Sequence, residues 1–416
     1  MSNDIILNNI QINENMVTYL FTVKGNIKKY FNENKLFVRY NHDVREVPKS
    51  ILSIVFVANI IPLIWISNSK LYIDELDYEF YNCLPEILLG FKNMYPKVDF
   101  KGNIYVENLI KRSYKYENEA AQLFTGGVDA VTTFIRIKDK FPFLITHNGW
   151  FINENTSDWD GWDIDKKIIG KYVDKYGLKM ILIESNYGKF MNYDNLNSDY
   201  YKKLKDNWWH GIHHGLALIC TSIPMAYLFK IETIYIASSF YEGFEATCAS
   251  DPRIDNNIKY ASGKVFHDSY EYNRQDKLKM LIEYADKSDE VLALNVCFKN
   301  ENNCCKCEKC MRTIMGIIAE GKDPSKFGFY IDFNISEQLK KLFNEELKFF
   351  SKSKIMIWNI IIERMRKNKK YINNVEEFEW LLKYDIRMAK EIKLFKYRIA
   401  KFIPIVKRKI KEGIAK

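Results

Sequence analysis

The sequence predicts an α/β protein in which a parallel sheet carries helices on both faces, with an N-terminal α+β domain before it and a basic helical region after it. Between residues 118 and 239, short apolar runs rich in β-branched and aromatic residues alternate with longer amphipathic ones. That rhythm belongs to strand–helix–strand units whose strands are buried on both sides. The rhythm is absent before residue 115 and gives way to basic helical sequence from about 335. The expected domains are therefore 1–115, 116–330 and 331–416, in a chain of 416 residues whose 47% apolar and 28% charged composition is that of a globular protein.

In the first segment "MVTYLFTVKG", "KLFVRYN" and "LIWIS" read as strands, and "DELDYEFYNCLPEILLGFKNMYP" as a helix. The acids of that helix, Asp74, Glu75 and Asp77, are expected in its first turn, where the helix dipole favours them without any catalytic role. The central segment reads in order as strand "AAQLFTG", helix "GVDAVTTFIRIKDK", strand "FPFLITHNG", helix "WDIDKKIIGKYVDKYG", strand "LKMILIESN", helix "WHGIHHGLALICTSIPMAYLF" and strand "IETIYIASS". An irregular stretch to residue 269 follows, then helix "NRQDKLKMLIEYA" and a short strand "EVLALNVCF". Ligands of such sheets gather at the carboxyl ends of the strands. Those ends here are "TGGVD", "HNGW", "ESNYG" and "ASSF", all polar or glycine-bearing.

Charge and cysteine usage narrow the function. The net charge is +9, but residues 391–416 hold nine Lys or Arg against two Glu, so the body is nearly neutral and does not suggest a nucleic-acid groove. No uninterrupted apolar stretch of membrane-spanning length is evident, and "SNDIILNNI" after Met1 is not a signal peptide, which predicts a cytoplasmic protein. Five of the eight cysteines fall between Cys297 and Cys310. Such crowding argues for a local metal site in a reducing compartment rather than a disulfide framework. Cys297, Cys304, Cys307 and Cys310 form a C-x6-C-x2-C-x2-C array that can wrap a tetrahedral zinc, with Cys305 left over. An iron–sulfur cluster is the alternative occupant. A closed four-thiolate site has no open coordination position, so its expected role is structural.

The stretch "AQLFTGGVDAVTTF" at residues 121–134 sets two glycines and an acid at the seam between a strand and a helix. Adjacent glycines let successive N–H groups point into one concavity, an anion nest, and the helix that starts there adds its positive end. A phosphate is the natural occupant, and Asp129 beside it suits a magnesium ion bridging phosphate oxygens. The pattern is neither a P-loop nor a dinucleotide fingerprint.

Thr125, Gly126, Gly127, Val128 and Asp129 resemble the Ser-Gly-Gly-X-Asp-Ser signature of the PP-loop ATP pyrophosphatases, with Ala130 in place of the final Ser and Thr132 or Thr133 as candidates to supply the missing hydroxyl. With the cysteine array and Arg312 behind it, residues 118–320 resemble the 7-cyano-7-deazaguanine synthase branch, with appended parts at both ends. The resemblance implies a fold of the adenine nucleotide alpha hydrolase type. It also implies cleavage of ATP between its α and β phosphates, giving an adenylated small molecule or sugar acid that ammonia or another amino donor attacks. On that reading Gly126 and Gly127 hold pyrophosphate, Asp129 holds Mg2+, and His147, Asn148 and Gly149 line the adenine or ribose, with Ser238 from the next strand end.

Arg253, Lys264 and Arg274 are candidates to meet the polyphosphate charge, against the commoner reading of each as a solvated surface cation. In "WHGIHHG", His213 or His214 is expected to touch substrate, against the alternative of helix-start histidines bonded to loop carbonyls; Trp208 and Trp209 stack on substrate or cover the sheet. RNA thiolation, another PP-loop occupation, needs a reactive cysteine, for which Cys220 looks buried and Cys248 is the candidate. A non-catalytic nucleotide-binding scaffold is the other reading. Ile392, Phe395, Ile399, Phe402, Val406 and Ile410 recur at helical spacing among basic residues, a helix suited to an anionic membrane surface or to docking on protein.

Overall fold

The structure, a computed structural model, describes residues 3–149, 161–244, 246–288, 290–297 and 302–414, with side chains as far as residue 400. It divides into two compact units, Met1–Glu271 and Tyr272–Lys416. The boundary expected near 115 falls inside the first unit and the one near 330 inside the second.

The first unit is built on a mixed sheet that is mostly parallel on the side of the expected nucleotide site. Its strands are β1 (Asp4–Asn13), β2 (Met16–Lys24), β3 (Lys35–Tyr40), β4 (Lys70–Asp77), β5 (Asn103–Ile110), β6 (Asn118–Leu123), β7 (Phe143–Asn148), β8 (Met180–Ser185), β9 (Ile231–Ala237), β10 (Lys259–Tyr260) and β11 (Gly263–Asp268). Their order across the sheet is β10-β11-β9-β6-β7-β8-β3-β2-β1-β4-β5. The five strands β11, β9, β6, β7 and β8 pair in parallel. At β8 the direction reverses, because β3 pairs with it antiparallel, Val38 opposite Ser185. Residues 1–115 are thus not a separate domain: their strands continue the same sheet.

The helices of this unit are α1 (Lys49–Ser67), α2 (Tyr78–Met94), α3 (Val128–Ile137), α4 (Gly161–Tyr176), α5 (Tyr193–Leu204), α6 (His214–Thr221), α7 (Ile223–Leu228) and the short α8 (Pro252–Asp255). Five consecutive residues of β7, Phe143 to His147, are buried, as in a strand covered on both faces. In β2 burial alternates, with Val17, Tyr19, Phe21 and Val23 inward. Tyr19 donates its hydroxyl to the Leu52 carbonyl of α1 at 2.9 Å.

α1 overturns the strand expected at "LIWIS". Eight of its nineteen residues are Ile or Val, each of which disfavours helix by about half a kcal/mol. Every residue from Ser50 to Ile66 is buried, and full burial of one such side chain contributes about 1.5–3 kcal/mol. Burial therefore outweighs propensity several-fold. α1 is also long and apolar enough to cross a membrane, and its most apolar 18-residue window, of mean hydropathy 2.2, is 94% buried inside the protein. It packs on β4 and α6 as a core helix. Asp74 and Glu75 lie on β4 rather than in a helical turn, while Asp77 caps α2 by accepting from the Phe80 N–H at 2.9 Å.

The second unit contains α9 (Arg274–Ser288), α10 (Glu308–Ala319), α11 (Ile335–Glu346), α12 (Lys352–Lys367), α13 (Glu379–Leu382) and α14 (Ile386–Ile414), and no strand among the described residues. The strand expected at "EVLALNVCF" is irregular backbone from 290 to 297; Leu294 bonds through its N–H to the Phe327 carbonyl, with no neighbouring strand to extend it. Arg364 ties α12 to α9 through Asp276 at 2.8 Å and to the end of α10 through Glu320 at 2.7 Å. On α14, Met388, Ile392, Phe395 and Ile399 are exposed. Phe402, Val406 and Ile410 lie beyond the described side chains.

Candidate functional site

The parallel strands stand in the order β8-β7-β6-β9-β11, so the chain moves outward from β6 to β8 and then returns to the other side of β6 to lay down β9. Between β6 and β9 the two directions part. Crossover connections leave on opposite sides there, opening a crevice at the carboxyl ends of those strands. A cavity of about 250 Å³ occupies this place. It is lined by Leu123 at the end of β6 with Phe124 and Thr125 after it, Ile145 to His147 on β7, and Ile236, Ala237 and Ser239 at the end of β9.

The glycine pair shapes one wall. Gly126 has φ of +73°, a left-handed backbone that a side chain would strain. Gly127 then caps α3 with an extended backbone, its carbonyl accepting from the Val131 N–H at 2.9 Å. Thr125, Gly127, Asp129 and Ala130 line the cavity, Asp129 in the first turn of α3. Val128 is buried away in the core. Gln122 of β6 holds the turn in place by donating to the Ala130 carbonyl at 2.6 Å. Neither threonine supplies the hydroxyl that Ala130 lacks: Thr132 donates to the Val128 carbonyl and Thr133 to Asp268, both within buried surroundings.

Other expected residues divide. His147 lines the cavity, with Nε2 3.1 Å from the Ser222 hydroxyl, and burial pushes it down to about 3, so it is neutral at physiological pH. Asn148 ends β7 but is not among the residues lining the cavity. At the end of β9 it is Ser239, not Ser238, that does so; Ser238 is buried and donates to the Phe240 carbonyl. Lys264 is a correction: it sits near the start of β11, at the opposite end of the strand from the cavity rim, and pairs with Glu232 at 3.0 Å. Arg253 is held by Asp251 at 2.7 Å. Arg274 belongs to the second unit, where it lines a small cavity with Gln275, Leu278 and Arg312.

The histidines sort by the turn that carries them. Trp209–His213 is a π-helical turn running into α6, a wider winding found frequently at functional sites. It stacks the His210 and His214 rings at 5.6 Å. His213 faces inward, fully buried, bonded to the Tyr193 hydroxyl at 2.8 Å and lowered to about 3 by burial. It does not touch the cavity, whereas His214 does. Trp208 is buried in the core and Trp209 stacks on Tyr187.

One member of the cavity wall was legible only as an isolated thiol. Cys248 lines the cavity with its Sγ 3.8 Å from His214 Nε2. The Ala249 N–H donates to the His210 carbonyl at 2.8 Å. Gly215 permits that approach, since a Cβ there would lie 2.1 Å from the Ala249 oxygen. Asp206 holds His210 through Nδ1 at 2.5 Å. Asp206, then Cys248, raise His210 to about 10. Burial works against the Cys248 thiolate, but hydrogen bonds from His210 and His214 outweigh it and bring the thiol down to about 6.

The second unit carries the cysteine quartet. The sulfurs of Cys297, Cys304, Cys307 and Cys310 all lie within 4.8 Å of one another, a set that can bind a metal. Cys305 turns through φ of +55°, Cys307 offers its N–H to the Cys304 sulfur at 3.4 Å, and Cys307 also caps α10. The helix start thus presents its positive end to the thiolates. No protein-family model, curated protein or solved structure matches this chain.

Proposed function

We propose that the first unit binds MgATP at the crevice between β6 and β9, and that the protein is an adenylating enzyme of PP-loop type on a nucleotide alpha hydrolase-like fold. It activates a carboxylate or amide oxygen of a small molecule or sugar acid for attack by ammonia or an amino donor, with release of AMP and pyrophosphate. The observation that carries this reading is the Thr125–Asp129 turn, a left-handed glycine at a helix start that lines a cavity on the switch point of a parallel sheet.

In this reading the N–H groups around Gly126 and Gly127 receive the polyphosphate, Asp129 holds magnesium against it, and neutral His147 faces the nucleoside without adding charge. The protein's part is positioning and charge neutralisation. The quartet in the second unit holds zinc in a closed structural site; four thiolates and a helix N-terminus fit that ion. The exposed face of α14 is a candidate for contact with an anionic membrane.

Incubation of the full chain with ATP, magnesium, ammonia and cell extract tests the reading by nucleotide chromatography. AMP with pyrophosphate, lost in Asp129→Ala, is the expected result. Binding without turnover identifies a nucleotide-binding scaffold, and ADP with phosphate, or no binding at all, rejects the assignment.

A further inference from the structure

Cys248 shares its cavity with the phosphate-binding turn, yet nothing in nucleotide binding calls for a thiol there. Its surroundings are those of a nucleophile. The carbonyl of Trp209 is 3.0 Å from His214 Nδ1 and can only accept, so that nitrogen carries a proton and Nε2 is the atom that exchanges one with the Cys248 sulfur it faces. His210, fixed by Asp206, completes the arrangement. This is a thiol, a base within reach in His214, and a third group, the Trp209 carbonyl, that orients that base, the pattern of covalent catalysis. It is not a metal site of the quartet's kind: among the described residues, the quartet is the only group of three or more ligand atoms lying within 4.8 Å of one another.

We propose that Cys248 is the covalent nucleophile of this cavity and takes an acyl group from the adenylate formed beside it. The acyl source rests on the ATP reading above; the nucleophile itself does not. The Cys248 proton passes to His214 Nε2. The sulfur then attacks the acyl carbon, a C–S bond forms, the C–O bond to AMP breaks, and AMP leaves with the electron pair. Ammonia next attacks the thioester, the C–S bond breaks to return the thiolate beside protonated His214, and the surplus ammonium proton leaves to solvent. No electrons are gained or lost. Such a step keeps the activated acyl group on the protein after AMP departs, so that hydrolysis of the adenylate does not waste it.

Two probes on the full chain test the proposal: p-nitrophenyl acetate as a simple acyl donor, and iodoacetamide for the pH profile, both located by peptide mass mapping. The charged and titratable groups around the sulfur are His210 on the π-helical turn, Asp206 before it, His214 at the start of α6, Tyr95 just after α2, and Asp129 and His147 across the same cavity. Acetylation is expected on Cys248, which is itself only 4% exposed but lines the cavity, and not on Cys83 or Cys220, whose thiols burial pushes up. The alkylation midpoint is expected near the value of about 6 set by the two histidines, moving toward the ordinary thiol value of about 8.5 in the His210→Gln, His214→Gln double variant.

MgATP is expected to slow both labels. Cys248→Ser is expected to keep MgATP binding while losing the acetyl adduct. Acetylation absent from Cys248, or an alkylation midpoint near the ordinary thiol value in the unaltered protein, overturns the nucleophile even if MgATP binds. Labelling in a protein that binds no MgATP supports the nucleophile and removes the adenylate as its donor.

Discussion

The two thiol sites of this protein differ in how they accommodate negative sulfur. In the second unit, four cysteines bring their sulfurs within 4.8 Å of one another at the start of α10. Four thiolates so close repel strongly, and only a bound cation makes the arrangement favourable. In the first unit, one cysteine faces two imidazoles, and the compensating charge is a proton on a histidine. Filled by one ion as proposed, the quartet would spend all its ligands and leave nothing for a substrate. Cys248 keeps its sulfur on a cavity wall. Sulfur chemistry follows the counter-charge: a metal closes the site, and a proton leaves it open.

The strongest way to break this contrast is to remove one sulfur from each site. Cys310→Ser should lose the metal and, with it, stabilisation on the order of 10 kcal/mol typical of small structural zinc sites, unfolding the second unit. Cys248→Ser should change neither metal content nor melting. Metal analysis with a thermal melt reads both, and retention of the metal in Cys310→Ser would end the structural role.

A smaller effect is expected from Gly215→Ala, which forces a methyl group against the Ala249 carbonyl and should cost about 1–3 kcal/mol. The displaced segment carries Cys248, so urea denaturation and the alkylation profile should shift together. A loss of stability with an unchanged profile would show that this approach does not position the thiol.

The mildest change sharpens the comparison. His210 is held at about 10 in the folded protein, above its ordinary value of about 6.5. Its contribution to stability is therefore complete below about 6.5 and is lost as pH rises through about 10. The side chain is 43% exposed, so solvent screening keeps the effect small. Asp206→Asn should flatten that loss and raise the Cys248 midpoint, measurable by urea midpoints on either side of the window. An unaltered pH dependence would show that Asp206 does not hold the proton on His210.

The legible parts of the sequence were those whose determinants are close together in the chain. The strands β6, β7, β8 and β9 carry short apolar runs between amphipathic helices, and the quartet spans fourteen residues with its spacing intact. α1 was misread because its Ile and Val residues favour strands locally, and its helix depends on burial that no local window contains. β11 lay hidden in a stretch whose alternation is short and polar-flanked. The Asp206, His210, His214 and Cys248 cluster was not legible as a unit. It needs a π-helical turn to align two histidines and a glycine contact to bring in a thiol from beyond β9. Lys264 failed as a site residue because its strand places it at the wrong end, which a loop reading could not foresee.

The antiparallel seam between β3 and β8 also sets a timetable for synthesis. Ser185 donates its hydroxyl to the Phe37 carbonyl, a partner 148 positions earlier in the chain. At translation speeds of about 5–20 residues per second, the first three strands emerge roughly 7–30 s before that neighbour exists. Throughout that interval one border of the nascent sheet stays bare, and whatever shields it in the cell belongs to the protein's biogenesis rather than to its chemistry.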